Sequence, residues 1–224
     1  KEEILTKIKE SILLNEDGQL IIVEGEAGSG KTVLMSTLLY ELGKYNLDLD
    51  ENLDIHLLVN HNEHVSIYSQ IASKLGIANK KNKIVQKPTS FINNNSSDEK
   101  VDVVIVDEAH LLLTQGKQSY QGKNHLDDLL ARAKVVVIVF DIKQVLTTEQ
   151  IWEVDKLNEY FDKAKSNSNH VTLRNQMRIN SDISTVNWIR NIVDYQVINS
   201  IPKDKLGYDI KIFDTPDELE KAIK

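Results

Sequence analysis

The sequence predicts an α/β protein with a doubly wound, mainly parallel sheet and helices on both faces. Three observations predict it. An apolar run, Leu20-Ile21-Ile22-Val23, leads into Gly25-Glu26-Ala27-Gly28-Ser29-Gly30-Lys31-Thr32 and then into a helical pattern. Strand-like and helix-like segments alternate from there, the signature of βαβ units. Two later runs, Val101 to Val106 and Lys134 to Phe140, are rich enough in β-branched residues to be strands buried on both faces.

The elements follow in order. Ile4, Leu5, Ile8, Ile12 and Leu13 recur at helical spacing within Glu3–Leu14, giving an amphipathic helix that packs beside the sheet. Gln19–Glu24 is the first strand, and the helix after the glycine-rich loop runs from Lys31 to about Tyr45 with Val33, Leu34, Leu38 and Leu42 inward. Ile55–Asn60 reads as a buried strand, and Ser66–Leu75 as a helix presenting Ile67, Ile71 and Leu75. Residues Asn79–Lys100 carry Asn79-Lys80-Lys81-Asn82-Lys83 and Asn93-Asn94-Asn95-Ser96-Ser97. They read as an exposed insertion holding at most a short strand or helix around Ile84–Ile92. The lysine cluster reads as a solvated loop rather than a nucleic-acid contact.

Thr114–Asn124 is a polar loop, Leu126–Ala133 a short helix, and Thr148–Lys165 a helix bearing Trp152, Leu157, Tyr160 and Phe161. His170–Leu173 is expected as an edge strand. Asn180–Val193 is a helix packing on Ile183, Val186, Trp188 and Ile189, so Trp188 reads as core rather than a base-stacking residue. A strand at Tyr208–Phe213 and a helix opened by the capping box Thr215-Pro216-Asp217-Glu218 close the chain. Residues 1–200 are expected to form one domain, with 79–100 as its insertion, and 201–224 to begin a following segment.

Composition narrows the class. Of 224 residues, 41% are hydrophobic and 27% charged, as in globular proteins, and no apolar stretch approaches the roughly 18 residues of a membrane span. No membrane partner is expected. Cysteine is absent, which removes disulfides and thiolate metal sites and fits the cytoplasm. A net charge of −7 argues against a basic nucleic-acid surface over the whole chain, but not against a local groove. Starting at Lys1 and ending in helical sequence, the chain is expected to be part of a longer protein whose other domains contribute to function.

The chemistry lies in four places. Gly25–Thr32 is a phosphate-binding loop, in which glycines let backbone N–H groups close on phosphate oxygens at a helix N-terminus. Gly25, Glu26, Ala27, Gly28, Ser29, Gly30, Lys31, Thr32 and Val33 would form the cradle, Lys31 reaching the β- and γ-phosphates and Thr32 supplying an oxygen to Mg²⁺. A glycine-rich turn before an ordinary helix would lack this strand–loop–helix setting. Asp107-Glu108 ends the strand from Val101: Asp107 would hold Mg²⁺ through water, and Glu108 would orient or deprotonate the attacking water. Gln144, just beyond the strand ending at Phe140, stands where open α/β sheets bind ligands and is a candidate γ-phosphate sensor. Arg174 and Arg178, two of only four arginines, suit planar phosphate recognition. His61 and His64 could share a helix face, but no third ligand lies near them in sequence.

With these residues on the page, the chain resembles the first RecA-like domain of a superfamily 1 helicase-type ATPase. It resembles more closely an uncharacterised bacterial family of helicase-like ATPases, related to the helicase-like portion of the long Schlafen proteins. The resemblance rests on Gly25–Thr32, Asp107-Glu108-Ala109-His110, Phe140-Asp141-Ile142-Lys143-Gln144, and Leu173-Arg174-Asn175-Gln176-Met177-Arg178 followed by the Trp188 helix. It implies ATP and Mg²⁺ as cofactors and single-stranded nucleic acid as a partner, met at the Asn60-His61-Asn62 turn. It also implies that Gln144 couples the γ-phosphate to that partner and that Arg178 is an arginine finger. Phe140 stands where many relatives have glycine, and Met177 where many have an adenine-stacking aromatic. The leading expectation is an ATPase domain of a helicase or translocase. The rivals are a nucleotide-controlled switch acting through protein partners and, less well supported by Asp107-Glu108 and Gln144, a small-molecule kinase.

Overall fold

The computed structural model describes residues 1–14, 16–49, 53–78, 83–116, 120–141, 144, 152–173 and 179–224. The chain divides into two compact units, Lys1–Gln176 and Met177–Lys224. In the first, six strands among the described residues form one sheet: β1 (Gln19–Gly25), β2 (Ile55–Leu58), β3 (Val85–Gln86), β4 (Val101–Val106), β5 (Ala133–Phe140) and β6 (His170–Leu173). Their order is β3-β2-β4-β5-β1-β6, and every pairing is parallel. The expected edge strand, β6, is found at that edge.

Side chains of successive strand residues point to opposite faces, and here both faces are apolar. In β5, Val135, Val137 and Val139 enter one core while Val136, Ile138 and Phe140 enter the other. The first core is closed by α1 (Glu2–Leu13), α2 (Lys31–Leu49) and α3 (Asn62–Lys74). The second is closed by α4 (Pro88–Asn94), α5 (His125–Arg132) and α6 (Val154–Ser166). This is the doubly wound, RecA-like α/β architecture, and burying each such aliphatic side chain stabilises it by about 1.5–3 kcal/mol.

Three expectations fail in instructive ways. In α2 the buried stripe is Met35, Leu38, Leu39 and Leu42, whereas Val33 is 70% exposed. The stripe follows the i, i+3, i+4, i+7 phase, and Val33 lies off it in the first turn. In α3 the inward residues are Tyr68 and Ala72, while Ile67, Ile71 and Leu75 face outward. Both stripes have i, i+4 spacing. Tyr68 can be buried because its hydroxyl finds a partner, described below, and Ala72 permits close approach. Within 79–100, secondary structure forms where a short strand or helix is expected and residues 93–99 are mostly exposed, but 84–92 is not an exposed segment: Ile84, Val85, Phe91 and Ile92 are buried, β3 pairs with β2, and α4 caps the second core. The two apolar doublets outweigh the polar composition around them. Most of the lysine-rich run, residues 79–82, lies outside the described residues.

Buried His125, which opens α5, makes stability depend on pH. Its Nδ1 accepts from the Leu113 N–H at 3.1 Å, and Nε2 lies 3.2 Å from Thr89 Oγ1, so the neutral ring donates there. Burial pushes its pKa down from 6.5 to about 4, against a smaller upward pull from Asp128. The unfolded chain therefore binds the proton first as pH falls. This contribution is fully present above pH 6.5 and is lost as pH falls towards 4, amounting to about 3 kcal/mol, of which about 2 are gone by pH 5. Urea denaturation at pH 7 and pH 5 should show that loss, and His125→Gln, which cannot titrate, should lack it.

The second unit holds α7 (Ile183–Tyr195) and α8 (Pro216–Ile223). Asp182 caps α7, accepting from Ser184 N at 2.7 Å, and Thr215 caps α8, accepting from Glu218 N at 3.3 Å, as the capping box requires. Asp204 ties the loop to α7 through Asp182 N and Thr185 Oγ1. Trp188 is half-buried, not core, and donates its indole N–H to the Asn199 carbonyl at 2.8 Å. No strand forms at 208–213; the unit offers no other strand among its described residues for that alternating segment to pair with.

Candidate active site

The sheet order brings the chemistry together. β5 lies between β1 and β4, with Glu24 opposite Phe140 and Val106 opposite Ile138. The phosphate-loop pattern, Asp107-Glu108 and Asp141 therefore emerge from the carboxyl ends of three neighbouring strands, the position where parallel sheets bind ligands.

The loop after β1 needs its glycines. Gly28 and Gly30 have φ of 84° and 86°, a conformation that a side chain disfavours. A Cβ on Gly25 would come within 2.4 Å of Ser29 Oγ, because the loop folds Ser29 back beneath the end of the strand. At the start of α2, Lys31 Nζ donates to the carbonyls of Gly25 at 2.6 Å and Glu26 at 2.8 Å, and pairs with Asp141 Oδ2 at 3.0 Å. The Lys31–Asp141 pair is almost dry, with side-chain exposures of 10% and 3%. Sequence reading overlooked Asp141, although its place directly after β5 was the available signal. Thr32 and Val33 are both exposed in the first turn.

Asp107 is buried at the end of β4, and its two oxygens are held from different sides. Oδ1 accepts from the Glu108 N–H at 3.0 Å and Oδ2 from the Tyr68 hydroxyl at 3.1 Å. Burial raises the Asp107 pKa, with the Tyr68 hydrogen bond opposing it. Among the described residues no group of three or more His, Asp or Glu side chains forms a protein-only metal cage. A carboxylate and a hydroxyl are nonetheless the hard oxygen donors that suit Mg²⁺, which is commonly bound by one or two protein oxygens together with substrate phosphates. Asp107 and Thr32 fit that donor set.

Glu108 takes φ 53° and ψ 49°, left-handed backbone that is unusual for a residue with a side chain. The bend turns its carboxylate away from the buried strand to a half-buried position, 3.8 Å from His64 Nδ1. His64 in turn meets His61 edge to face. His110 is buried against Phe140, its Nδ1 without a hydrogen-bond partner. Burial lowers its pKa, while Glu108, Asp141 and Lys31 all act on it electrostatically.

Gln144 is half-buried, and its backbone N–H donates to the Asp141 carbonyl at 3.1 Å. Ile142 and Lys143 lie outside the described residues, as do Arg174 and Arg178. No helix among the described residues is long and apolar enough to cross a membrane.

Comparison with known proteins now gives the lineage. Residues 18–224 match the model of the Schlafen group 3 DNA/RNA helicase domain. The chain is 32% identical over 235 residues to the Saccharomyces cerevisiae protein "Uncharacterized protein YPL245W", covering 92% of this chain and 51% of that protein. The chain thus spans about half the length of this curated relative. A solved structure of two Pif1 helicases unwinding forked double-stranded DNA superimposes with a TM-score of 0.36 and 15% identity, over 89% of this chain and 49% of that one. That similarity is too loose to add to the strand order above. The match over nearly the whole chain means that this protein belongs to the Schlafen group 3 DNA/RNA helicase domain family.

Proposed function

We propose that the chain binds ATP with Mg²⁺ and hydrolyses it, as the first RecA-like domain of a helicase or translocase acting on single-stranded nucleic acid. The observation that carries this reading is the convergence of Lys31, Asp141, Asp107 and Glu108 at the ends of β1, β5 and β4. Lys31 exchanges its backbone carbonyls and Asp141 for the β- and γ-phosphates. Thr32 and Asp107 hold the ion, which when bound neutralises phosphate charge as the transition state develops. Glu108 orients a water on the γ-phosphorus and takes its proton, and ADP departs. Gln144 senses the γ-phosphate and Arg178 approaches it as a finger, while the Asn60-His61-Asn62 turn meets the nucleic acid. The remaining domains of a longer, cytoplasmic protein complete the motor.

The net charge of −7 favours a second reading, a nucleotide-controlled switch that acts through protein partners. ATP turnover with and without single-stranded DNA or RNA separates them. A motor domain is expected to show stimulation by at least one strand, with binding that weakens steeply as salt rises. Turnover that depends on Glu108 but ignores both strands would favour the switch.

A further inference from the structure

Tyr68 belongs to no recognised motif of the chain, yet it is buried against Asp107, the carboxylate proposed above to hold Mg²⁺. Its hydroxyl donates to Asp107 Oδ2 at 3.1 Å, while Oδ1 is fixed by the Glu108 N–H at 3.0 Å. Tyr68 and the Glu108 N–H together hold both oxygens of Asp107, one of the two residues that fit Mg²⁺. Burial and the neighbouring Asp107 push the phenol well above its ordinary range, so it remains a donor. A buried carboxylate held at both oxygens keeps one orientation; with one tether removed it can turn about its Cβ–Cγ bond.

We infer that Tyr68 is a positioning residue for magnesium-dependent nucleotide binding, its hydroxyl fixing the Asp107 carboxylate in the orientation that receives the ion. The inference rests on the nucleotide reading above. Groups that hydrogen-bond a metal ligand from behind set its direction, and removing them commonly weakens metal binding tenfold or more. Tyr68 does not touch the phosphates in this account, so binding of nucleotide without metal is independent of it.

The test uses the full chain and a fluorescent ATP analogue, titrated with Mg²⁺ and, separately, in EDTA. Tyr68→Phe keeps the ring and removes only the hydroxyl. It is expected to raise the Mg²⁺ concentration for half-maximal binding about tenfold and leave the EDTA affinity unchanged. In an Asp107→Asn background Tyr68→Phe should add nothing, because its effect runs through Asp107. An unchanged midpoint in Tyr68→Phe overturns the inference, as does equal weakening with and without metal, which would mark simple packing. Wild-type protein that binds the analogue without any Mg²⁺ dependence defeats the nucleotide reading itself, and the wild-type titration alone reveals that.

Discussion

Lys31→Ala is expected to weaken ATP binding by about 100-fold or more. The ammonium would give two or more charge-assisted hydrogen bonds to the β- and γ-phosphates, each worth about 1.5–3 kcal/mol. The same substitution also disturbs the site itself, because Lys31 Nζ is 3.0 Å from Asp141 Oδ2 in a nearly solvent-free pair. Breaking a buried pair by removing one partner typically costs about 3–5 kcal/mol. Lost binding could then reflect lost folding, and a second substitution distinguishes them. Lys31→Ala with Asp141→Asn should regain most of the stability, read by urea denaturation, and none of the nucleotide affinity, read by titration with a fluorescent ATP analogue. Recovery of binding in the double variant would remove Lys31 from the phosphate site.

Asp141 also shows where sequence reading reached its limit. The local structure at Gly25–Thr32 and the strand end before Asp107-Glu108 were legible because their spacing is short-range: a strand, a turn that requires glycine, and a charged residue at a helix start. The strand runs Val101 to Val106 and Lys134 to Phe140 were legible because a doubly covered parallel strand leaves no polar alternation to mislead. Asp141 and Tyr68 act across the sheet, 110 and 39 residues from their partners, and nothing in the local pattern announces such distances.

The misread helix faces have a related cause. In α3, Ile67-Ile71-Leu75 is the more apolar stripe and Tyr68-Ala72 the buried one, because the buried phenol finds Asp107 as its hydrogen-bond partner there. Tertiary placement overrides hydrophobic spacing when a polar tip has a partner inside. The opposite error arose at 84–92, where polar residues surround two apolar doublets: Ile84 and Val85 enter the first core, and Phe91 and Ile92 the second. Composition describes the average residue of a segment, whereas packing is decided by its few apolar ones.

Glu108→Gln is expected to preserve nucleotide binding and lower turnover by about 10²- to 10⁴-fold, the usual contribution of a positioned general base. Glutamine matches glutamate in size and keeps the left-handed backbone at φ 53°, so geometry is held while the proton acceptor is lost. The strain at this position provides an internal comparison. Glu108→Gly relieves a backbone conformation that costs a side-chain residue about 1 kcal/mol, so it should stabilise the fold or leave it unchanged, yet lose turnover as fully as the glutamine variant. A position that is conformationally unfavourable for glutamate and easy for glycine holds glutamate for its carboxylate, which the bend delivers from a buried strand to a half-buried point beside His64. Single-turnover phosphate release and equilibrium binding of the ATP analogue, measured on both variants, separate the two roles. If either variant hydrolyses ATP at the wild-type rate, the strained carboxylate serves something other than the attacking water.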